Sequence, residues 1–155
     1  ALIIFRNVKI HKKTYLIGKE NKGFKLIMYN FNSERLGITI TANALSKCAF
    51  IEGLKYAKKR KTFNKPLIKH QVIRHKFAEC ARKILTTHNF IEKLAYQLST
   101  DKLSQNNSTL SANICNCKVD STRTMEYVSR EMSQVFGGAS YVLGKKIDRI
   151  YRDVR

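Results

Sequence analysis

The sequence predicts an all-α fold, an up-and-down four-helix bundle of long helices preceded by a short β remnant. From Gly23 onward apolar residues recur every three or four positions, which is the period of an amphipathic helix. Pro66 and the pair Gly137–Gly138 interrupt this period and divide the chain into segments. With 43% hydrophobic residues, one Pro and seven Gly, the composition excludes a disordered polycation and a collagen-like chain.

The first twenty residues follow a different pattern from the rest. Within residues 1–17, apolar side chains such as Phe5 and Val8 are mixed with basic ones, as in strands, and Gly18 begins a turn. A piece this short cannot form a sheet by itself. We therefore expect residues 1–20 to be the last strand or strands of a further domain, and residues 21–155 to be a helical bundle domain that is incomplete at its C-terminus.

Four helices are predicted, and each has one apolar face. Two of them contain about 30 residues, or about 45 Å at 1.5 Å per residue. The helices are expected at Phe24–Lys61, Leu67–Leu98, Leu110–Phe136 and from Leu143 to the end, with a polar loop at 99–109. The inward positions are expected to be Leu36, Ile40, Ala44, Cys48, Ile51 and Leu54 in the first helix; Ile73, Phe77, Cys80, Ile84, Ile91, Leu94 and Leu98 in the second; Ile114, Cys117, Met125, Val128, Met132 and Val135 in the third; and Ile147, Ile150 and Tyr151 in the fourth.

The charge is strongly positive: 30 Lys and Arg against 11 Asp and Glu give a formal net charge of +19. This charge would favour binding to nucleic acid or polyphosphate, to an acidic partner or to an anionic membrane surface. It could equally reflect a compositional bias towards Lys with no binding function. The cysteines do not form a disulfide framework, and Cys48 and Cys80 are expected to be buried thiols. Cys115 and Cys117 lack further ligands at zinc spacing, so no metal site is expected. A reducing intracellular compartment fits this cysteine usage.

Three segments carry candidate functional residues. Glu34, beside Arg35 where the first apolar stripe begins, suits a general base, or a carboxylate that favours the helix dipole. The run Tyr56–Phe63 suits phosphate binding with ring stacking by Phe63, or a solvated helix end. The glycines within Gln134–Tyr141 permit close approach of a ligand to the backbone, or simply end a helix.

Taken in order, these segments resemble the C-terminal helical domain of acyl-CoA dehydrogenases. The resemblance covers the whole chain, including residues 1–20, which resemble the end of the family's middle β domain. Its last motifs are most similar to a subgroup from fungi, nematodes and protists. The motifs are Gly23-Phe24, Asn32-Ser33-Glu34-Arg35, Tyr56-Ala57-Lys58-Lys59-Arg60-Lys61-Thr62-Phe63, His70-Gln71, Gln134 to Tyr141, and Tyr151-Arg152-Asp153-Val154-Arg155.

The resemblance implies a flavoenzyme that desaturates an acyl-CoA thioester, with hydride transfer to FAD. Glu34 matches one of two places where the family carries its catalytic base, and the other place lies beyond residue 155. The implied FAD contacts are Arg60, Lys61 and Thr62 at the pyrophosphate, Phe63, His70 and Gln71 elsewhere on the cofactor, and Gln134, Gly137 and Gly138 at the adenosine. Asn32, Ser33 and Arg35 would lie on the acyl-CoA side.

The implied partners are an acyl-CoA substrate, a second copy of the chain in a homodimer or dimer of dimers, and an electron-transfer flavoprotein or another acceptor. The family resemblance implies a mitochondrial location, and the chain alone is expected to be inactive. Asn64 departs from the family, which usually has Gly there; Asn tolerates left-handed backbone better than most residues. The alternatives are a basic helical module for nucleic acid or anionic membrane, with nucleic acid the less expected partner, and a non-catalytic acyl-CoA-binding member.

Overall fold

The computed structural model describes residues 1–100 and 108–154 and is mainly helical. The order of its elements agrees with the predicted bundle, and the all-α prediction is confirmed. The helices are α1 (Lys12–Tyr15), α2 (Gly23–Lys59), α3 (Gln71–Thr100), α4 (Ser108–Phe136) and α5 (Lys146–Asp153). A two-stranded antiparallel hairpin of β1 (Lys61–Thr62) and β2 (Lys65–Pro66) follows α2, and 3₁₀ turns at Leu67–Lys69 and Gly137–Ser140 precede α3 and follow α4.

Contacts between the long helices give their directions. Near its start α2 is bonded to the start of α4, since Asn32 Nδ2 donates to Ser111 Oγ at 2.9 Å. Further along, Ser121 Oγ of α4 donates to the carbonyl oxygen of Thr39 at 2.8 Å. The two helices are therefore parallel. α3 is antiparallel to both, because Thr87 Oγ1 donates to Asp120 at 2.8 Å while an earlier α3 residue, Lys76, pairs with a later α4 residue, Glu131.

The core lies between these helices, and the predicted inward faces of α3 and α4 are largely confirmed. Cys80 and Leu94 of α3 are completely buried, as are Val128 and Met132 of α4. Leu98 is an exception, since it is exposed at the far end of α3. The remaining predicted residues of these two helices that are buried are Phe77, Ile84, Ile91, Ile114, Cys117 and Val135, and Ile147 and Ile150 are buried on α5.

The predicted inward face of α2 is mostly wrong, although Leu36 and Leu54 are partly buried and Leu54 packs against the core. Ile40 and Ile51 are about half exposed, at 49% and 48%, and Ala44 and Cys48 are also exposed. α2 is buried instead through a row of mostly small residues, which lets two parallel backbones approach closely where larger side chains would keep them apart. That row is Thr39, Ala42, Asn43, Ser46, Ala49, Gly53 and Ala57.

Cys48 is therefore an exposed thiol and not the buried one that the sequence suggested. Cys80 is buried as predicted, and removal from water raises its pKa to about 12. Cys117 is also buried, and the same cause raises the pKa of its thiol to about 11. Of these three thiols, only that of Cys48 is open to reagents in solvent.

The ends of the chain differ in detail from the sequence prediction. Residues 1–20 are exposed and contain the single turn α1 but no strand, because the described part of the chain offers them no partner strand. The polar loop predicted at 99–109 lies mostly outside the described residues, and α3 continues to Thr100 while α4 begins at Ser108. α5 begins at Lys146, three residues later than predicted.

None of the described helices combines the length and apolar character that a membrane crossing requires.

Candidate functional site

The C-terminal ends of α2 and α4 meet in an aromatic stack. The rings of Tyr56 and Phe136 lie 4.3 Å apart between centroids and are inclined by 19°. Since the hairpin follows Tyr56 by a few residues and the Gly137–Ser140 turn follows Phe136 directly, both segments lie at this end of the bundle. We call it the basic end. Two of the predicted sets of binding residues, far apart in the sequence, are thus brought together.

The hairpin turns through two residues with left-handed backbone. Lys61 pairs with Pro66 and Thr62 with Lys65, so Phe63 and Asn64 form the turn, with φ of 50° and 61°. Positive φ at both central residues is characteristic of a type I′ two-residue hairpin turn, and Asn accepts it more readily than most residues. The departure at Asn64 therefore leaves the turn intact. A bulky residue such as Phe63 rarely adopts this conformation, and here its ring is 90% exposed.

The hairpin is tied to the start of α3 by three contacts. The backbone N–H of Leu67 donates to the carbonyl oxygen of Arg60 at 2.7 Å. Thr62 Oγ1 lies 3.0 Å from His70 Nε2, and the Phe63 ring meets the His70 ring edge-on at 6.2 Å and 69°. His70 therefore touches two consecutive hairpin residues. These contacts fix the strained corner relative to a 30-residue helix.

Charge accumulates on this part of the chain. Between Glu52 and Glu79 the sequence contains nine Lys and Arg residues and no Asp or Glu. Arg60 and Lys61 are exposed, as is Gln71 in the first turn of α3. Backbone N–H groups at a helix start and Arg side chains are both good partners for phosphate oxygens. The arrangement is suited to an anionic, phosphate-bearing ligand.

The turn after α4 supplies open backbone. Gly137 has φ of +58°, and a Cβ atom built on Gly137 or on Gly138 would meet no other atom within 4 Å. Ser140 Oγ donates to the carbonyl oxygen of Gly137 at 2.8 Å and holds the turn. Gln134, on the last turn of α4, is exposed beside it. A ligand can therefore approach the main chain here without hindrance from side chains.

The predicted substrate residues lie at the other end of α2. Glu34 is exposed, and its carboxylate accepts a hydrogen bond from Asn30 Nδ2 at 2.9 Å. Arg35 Nη1 donates to Asn32 Oδ1 at 3.0 Å and lies over the Phe31 ring, 5.7 Å from its centroid. The described residues show no ion pair between Glu34 and Arg35, although the two are neighbours in the sequence.

Distance along α2 separates the two groups of candidates. Glu34 and Arg60 are 26 positions apart, which corresponds to about 39 Å of helix at 1.5 Å per residue. Within one copy of the chain, the structure therefore does not bring Glu34, Asn32, Ser33 and Arg35 to the basic end.

Sequence reasoning missed two features of the basic end. One is the contact between Thr62 and His70, which are eight positions apart and whose pairing depends on the hairpin register. The other is the contribution of Lys65 and Lys69, exposed cations beside the run already noted. The absence of acids between Glu52 and Glu79 was a signal that could have revealed the second.

Comparison with known proteins places the chain in a family. The profile of the acyl-CoA dehydrogenase C-terminal domain matches residues 21–155. The chain is 32% identical over 160 residues to an acyl-CoA dehydrogenase from Alternaria alternata, covering 100% of this chain and 37% of that protein. It is 31% identical over 153 residues to a 3-(aryl)acrylate reductase from Clostridium sporogenes, covering 99% of this chain and 39% of that one.

A solved structure agrees with these matches. The crystal structure of a probable acyl-CoA dehydrogenase from Mycobacterium abscessus superimposes with a TM-score of 0.79 at 34% identity, over 90% of this chain and 35% of that one. The present chain therefore belongs to the acyl-CoA dehydrogenase family. It spans somewhat more than a third of the length of these relatives.

Proposed function

We propose that this chain is the C-terminal domain of a flavin-dependent acyl-CoA dehydrogenase that removes two hydrogens from the α and β carbons of an acyl-CoA thioester. The observation that carries the proposal is the basic end, where the Tyr56–Phe136 stack joins a strained, cationic hairpin to an open glycine turn. Family membership supplies the reaction class.

The residues of the basic end fit FAD. The Phe63 ring, held with positive φ, is largely exposed and meets only the edge of the His70 ring among the described residues, whereas an aromatic cofactor would cover it. Arg60 and Lys61 provide charge for a pyrophosphate, and Thr62 provides a hydroxyl. Gly137 and Gly138 leave space beside the backbone that the Cβ of any other residue would reduce.

In this proposal each segment has a distinct task. Arg60, Lys61 and Thr62 bind the pyrophosphate, while Phe63, His70 and Gln71 orient the rest of the cofactor. Gln134, Gly137 and Gly138 hold the adenosine through backbone contacts. Bound flavin supplies the chemistry of hydride acceptance, which no amino-acid side chain provides.

Glu34 is the proposed base that takes the α-proton of the thioester. Asn30 holds its carboxylate in place, and Asn32, Ser33 and Arg35 face the acyl-CoA on the same segment. A base for this weakly acidic proton has to be desolvated, and Glu34 is exposed here. The desolvation therefore has to come from surfaces outside this chain, as it would in an assembled enzyme.

The separation along α2 bears on assembly. Since about 39 Å of helix separates Glu34 from Arg60, the two ends of one copy would serve two different cofactors. This supports a homodimer or dimer of dimers, in which the basic end of one copy reaches a cofactor whose flavin lies near Glu34 of another. An electron-transfer flavoprotein or a similar acceptor would reoxidise the flavin.

The test of the proposed function is an absorbance spectrum of the full-length protein. We expect a bound-flavin spectrum that bleaches when a saturated acyl-CoA is added without oxygen. A set of acyl-CoA thioesters of different length, together with an arylpropionyl thioester, would identify the substrate. A full-length protein purified without flavin, and unable to take up FAD, would contradict the proposal.

Glu34→Gln in the full-length protein tests the base assignment. We expect the rate of flavin bleaching to fall by about 10²- to 10⁴-fold, which is the usual contribution of a general base, while FAD stays bound. Glu92→Gln is the matched control, because Glu92 is an exposed carboxylate on α3. An unchanged rate in Glu34→Gln would place the base elsewhere, including beyond residue 155.

One observation favours a second function, that of a basic binding module. Of the nine Lys and Arg residues between Glu52 and Glu79, Lys55 pairs with Glu52 and Lys76 with Glu131, and the other seven still exceed what one pyrophosphate requires. Binding to duplex DNA or anionic vesicles that survives physiological salt would support it, because charge-driven binding weakens steeply as salt rises. Binding confined to low salt would leave the flavoenzyme as the better assignment.

A further inference from the structure

Thr62 and His70 form a linked pair at the corner of the hairpin. Thr62 Oγ1 and His70 Nε2 are 3.0 Å apart, and both residues are half-buried. The His70 ring also meets Phe63 edge-on. One imidazole therefore contacts two of the residues proposed to bind the cofactor, and it stands directly before the first residue of α3.

The direction of this hydrogen bond depends on where His70 carries its proton. A neutral imidazole has one N–H donor and one acceptor nitrogen. If the proton is on Nδ1, the Thr62 hydroxyl must donate to Nε2 and has no proton left for another acceptor. If the proton is on Nε2, the ring donates to Thr62 Oγ1, and the hydroxyl proton is free to point at an anion.

The local sequence favours the second arrangement when an anion is present. Because no carboxylate lies between Glu52 and Glu79, this segment offers the hydroxyl proton no acidic acceptor of its own. Lys61 and Lys65 lie on the two hairpin strands beside Thr62. Lys65 is the cross-strand partner of Thr62 and lies on the same face of the hairpin, so its charge favours an anion near the Thr62 hydroxyl.

We propose that His70 is a positioning residue, whose Nε2–H donates to Thr62 so that the Thr62 hydroxyl donates to a diphosphate oxygen. Binding of the diphosphate then selects the Nε2–H form of the ring. This relay rests on the proposed function in one respect, since it takes the ligand to be the diphosphate of a dinucleotide. In this relay Thr62 and His70 act together on one diphosphate oxygen. The alternative is that each residue contacts the ligand independently of the other.

The test uses the whole 155-residue chain with inorganic pyrophosphate as the probe, followed by FAD. Ring ¹⁵N chemical shifts of His70 report which nitrogen carries the proton, and titration gives the dissociation constant. The variants are Thr62→Val, His70→Phe and the double variant. Thr62→Ser and His70→Gln keep a hydroxyl and an N–H donor, respectively. His75→Phe is the control, because His75 is an exposed histidine on α3.

We expect pyrophosphate to shift His70 to the Nε2–H form. Thr62→Val and His70→Phe should each weaken pyrophosphate binding by about tenfold, the scale of one charge-assisted hydrogen bond. The double variant should be no weaker than either single variant, since both remove the same relay. Thr62→Ser and His70→Gln should recover most of the affinity, and His75→Phe should leave it unchanged.

Three results would overturn the relay: losses that add in the double variant, a His70 ring unchanged at saturation, or a wild-type chain that does not bind pyrophosphate. The same data separate the two proposals. Pyrophosphate binding through the relay, with no FAD uptake by the full-length protein, would end the proposed function and leave the relay standing. FAD uptake by the full-length protein, with losses of pyrophosphate affinity that add in the double variant, would support the proposed function and overturn the relay.

Discussion

At Gly53, α2 packs directly against the Met132 side chain of α4. A Cβ atom at this position would clash with the Met132 side chain, whose Cγ would lie 3.2 Å away and whose sulfur would lie nearer still. Both residues belong to the central core, where interiors are close-packed and a single added methyl group is felt. The parallel packing of the two helices therefore depends on a hydrogen atom in place of a side chain.

We expect Gly53→Ala to lower the free energy of unfolding by about 1–3 kcal/mol, the usual cost of overpacking a core. Gly37→Ala is the matched control, since an added Cβ there meets nothing within 4 Å. Because Ala is a better helix former than Gly, the control should gain about 0.5–1 kcal/mol. Urea denaturation followed by circular dichroism measures both, and a neutral Gly53→Ala would contradict the close packing.

Burial of Cys80 predicts a loss of stability in alkali. Its pKa is raised from 9.0 to about 12, chiefly by desolvation, so the folded chain holds this proton more tightly than the unfolded chain does. The stabilisation is therefore complete below pH 9 and is lost progressively as the pH rises towards 12. Within this window Cys80 should contribute a slope approaching 1.4 kcal/mol per pH unit, to an order of magnitude.

Cys80→Val should remove that part of the alkaline slope. Cys48→Ala is the control, because it removes a thiol that is exposed and lies outside the core. Denaturation curves at several pH values between 8 and 11 provide the measurement. If Cys80→Val and the wild-type chain lose stability in parallel over this range, Cys80 is not the titrating group.

At the scale of elements, the Tyr56–Phe136 stack is the joint between α2 and α4. We expect Phe136→Ala to cost about 2 kcal/mol, below the 3–5 typical of a fully buried ring, because Phe136 is only partly buried. A double-mutant cycle with Tyr56→Ala should show a coupling of about 0.5–1.5 kcal/mol, the usual range for aromatic pairs. Chemical denaturation of the four proteins measures it, and a coupling near zero would mean that the ends are not joined by this stack.

The elements also show what the sequence can predict. In α3 and α4 large apolar residues recur at helical spacing. The existence of these two helices, their approximate bounds and their inward faces could therefore be predicted from periodicity. In α2 most of the predicted inward residues are exposed, because the fully buried positions must lie close to a parallel neighbour and so carry Ala, Ser and Gly, while large residues such as Phe50 and Leu54 pack against the core only partly buried. Hydrophobic pattern alone cannot identify such a face.

The segments of the candidate site could be proposed from the sequence, but their positions relative to one another in the fold could not. Its motifs can be recognised in order along the chain. No local feature of the sequence, however, predicts that Phe136 packs against Tyr56, 80 positions away. The Thr62–His70 contact likewise depends on the hairpin register and on the start of α3. Such contacts between distant residues are determined by tertiary packing. Secondary-structure propensity reflects only the local sequence and so cannot predict them.

At the scale of the whole molecule, the outward face of α2 predicts self-association. Ile40 and Ile51 are about half exposed on a helix that packs the rest of the bundle through its other side. We expect the isolated chain to form dimers or larger assemblies at micromolar concentration, despite the repulsion from a net charge of +19. Sedimentation velocity at increasing salt should show more association, because salt screens that repulsion.

The double variant Ile40→Lys/Ile51→Lys should shift the chain towards monomer with little change in its unfolding midpoint, since neither side chain is in the core. Val72→Lys is a control for added charge at another exposed apolar position. A double variant that associates as strongly as the wild-type chain would show that this face is not the one involved.

The parallel course of α2 and α4 has an electrostatic consequence. Both helices direct their C-termini, each equivalent to about half a negative elementary charge, at the same end of the bundle. Some of the Lys and Arg residues gathered there therefore neutralise the protein's own peptide dipoles. The number of counterions released when an anion binds should be smaller than a count of nearby basic side chains would give.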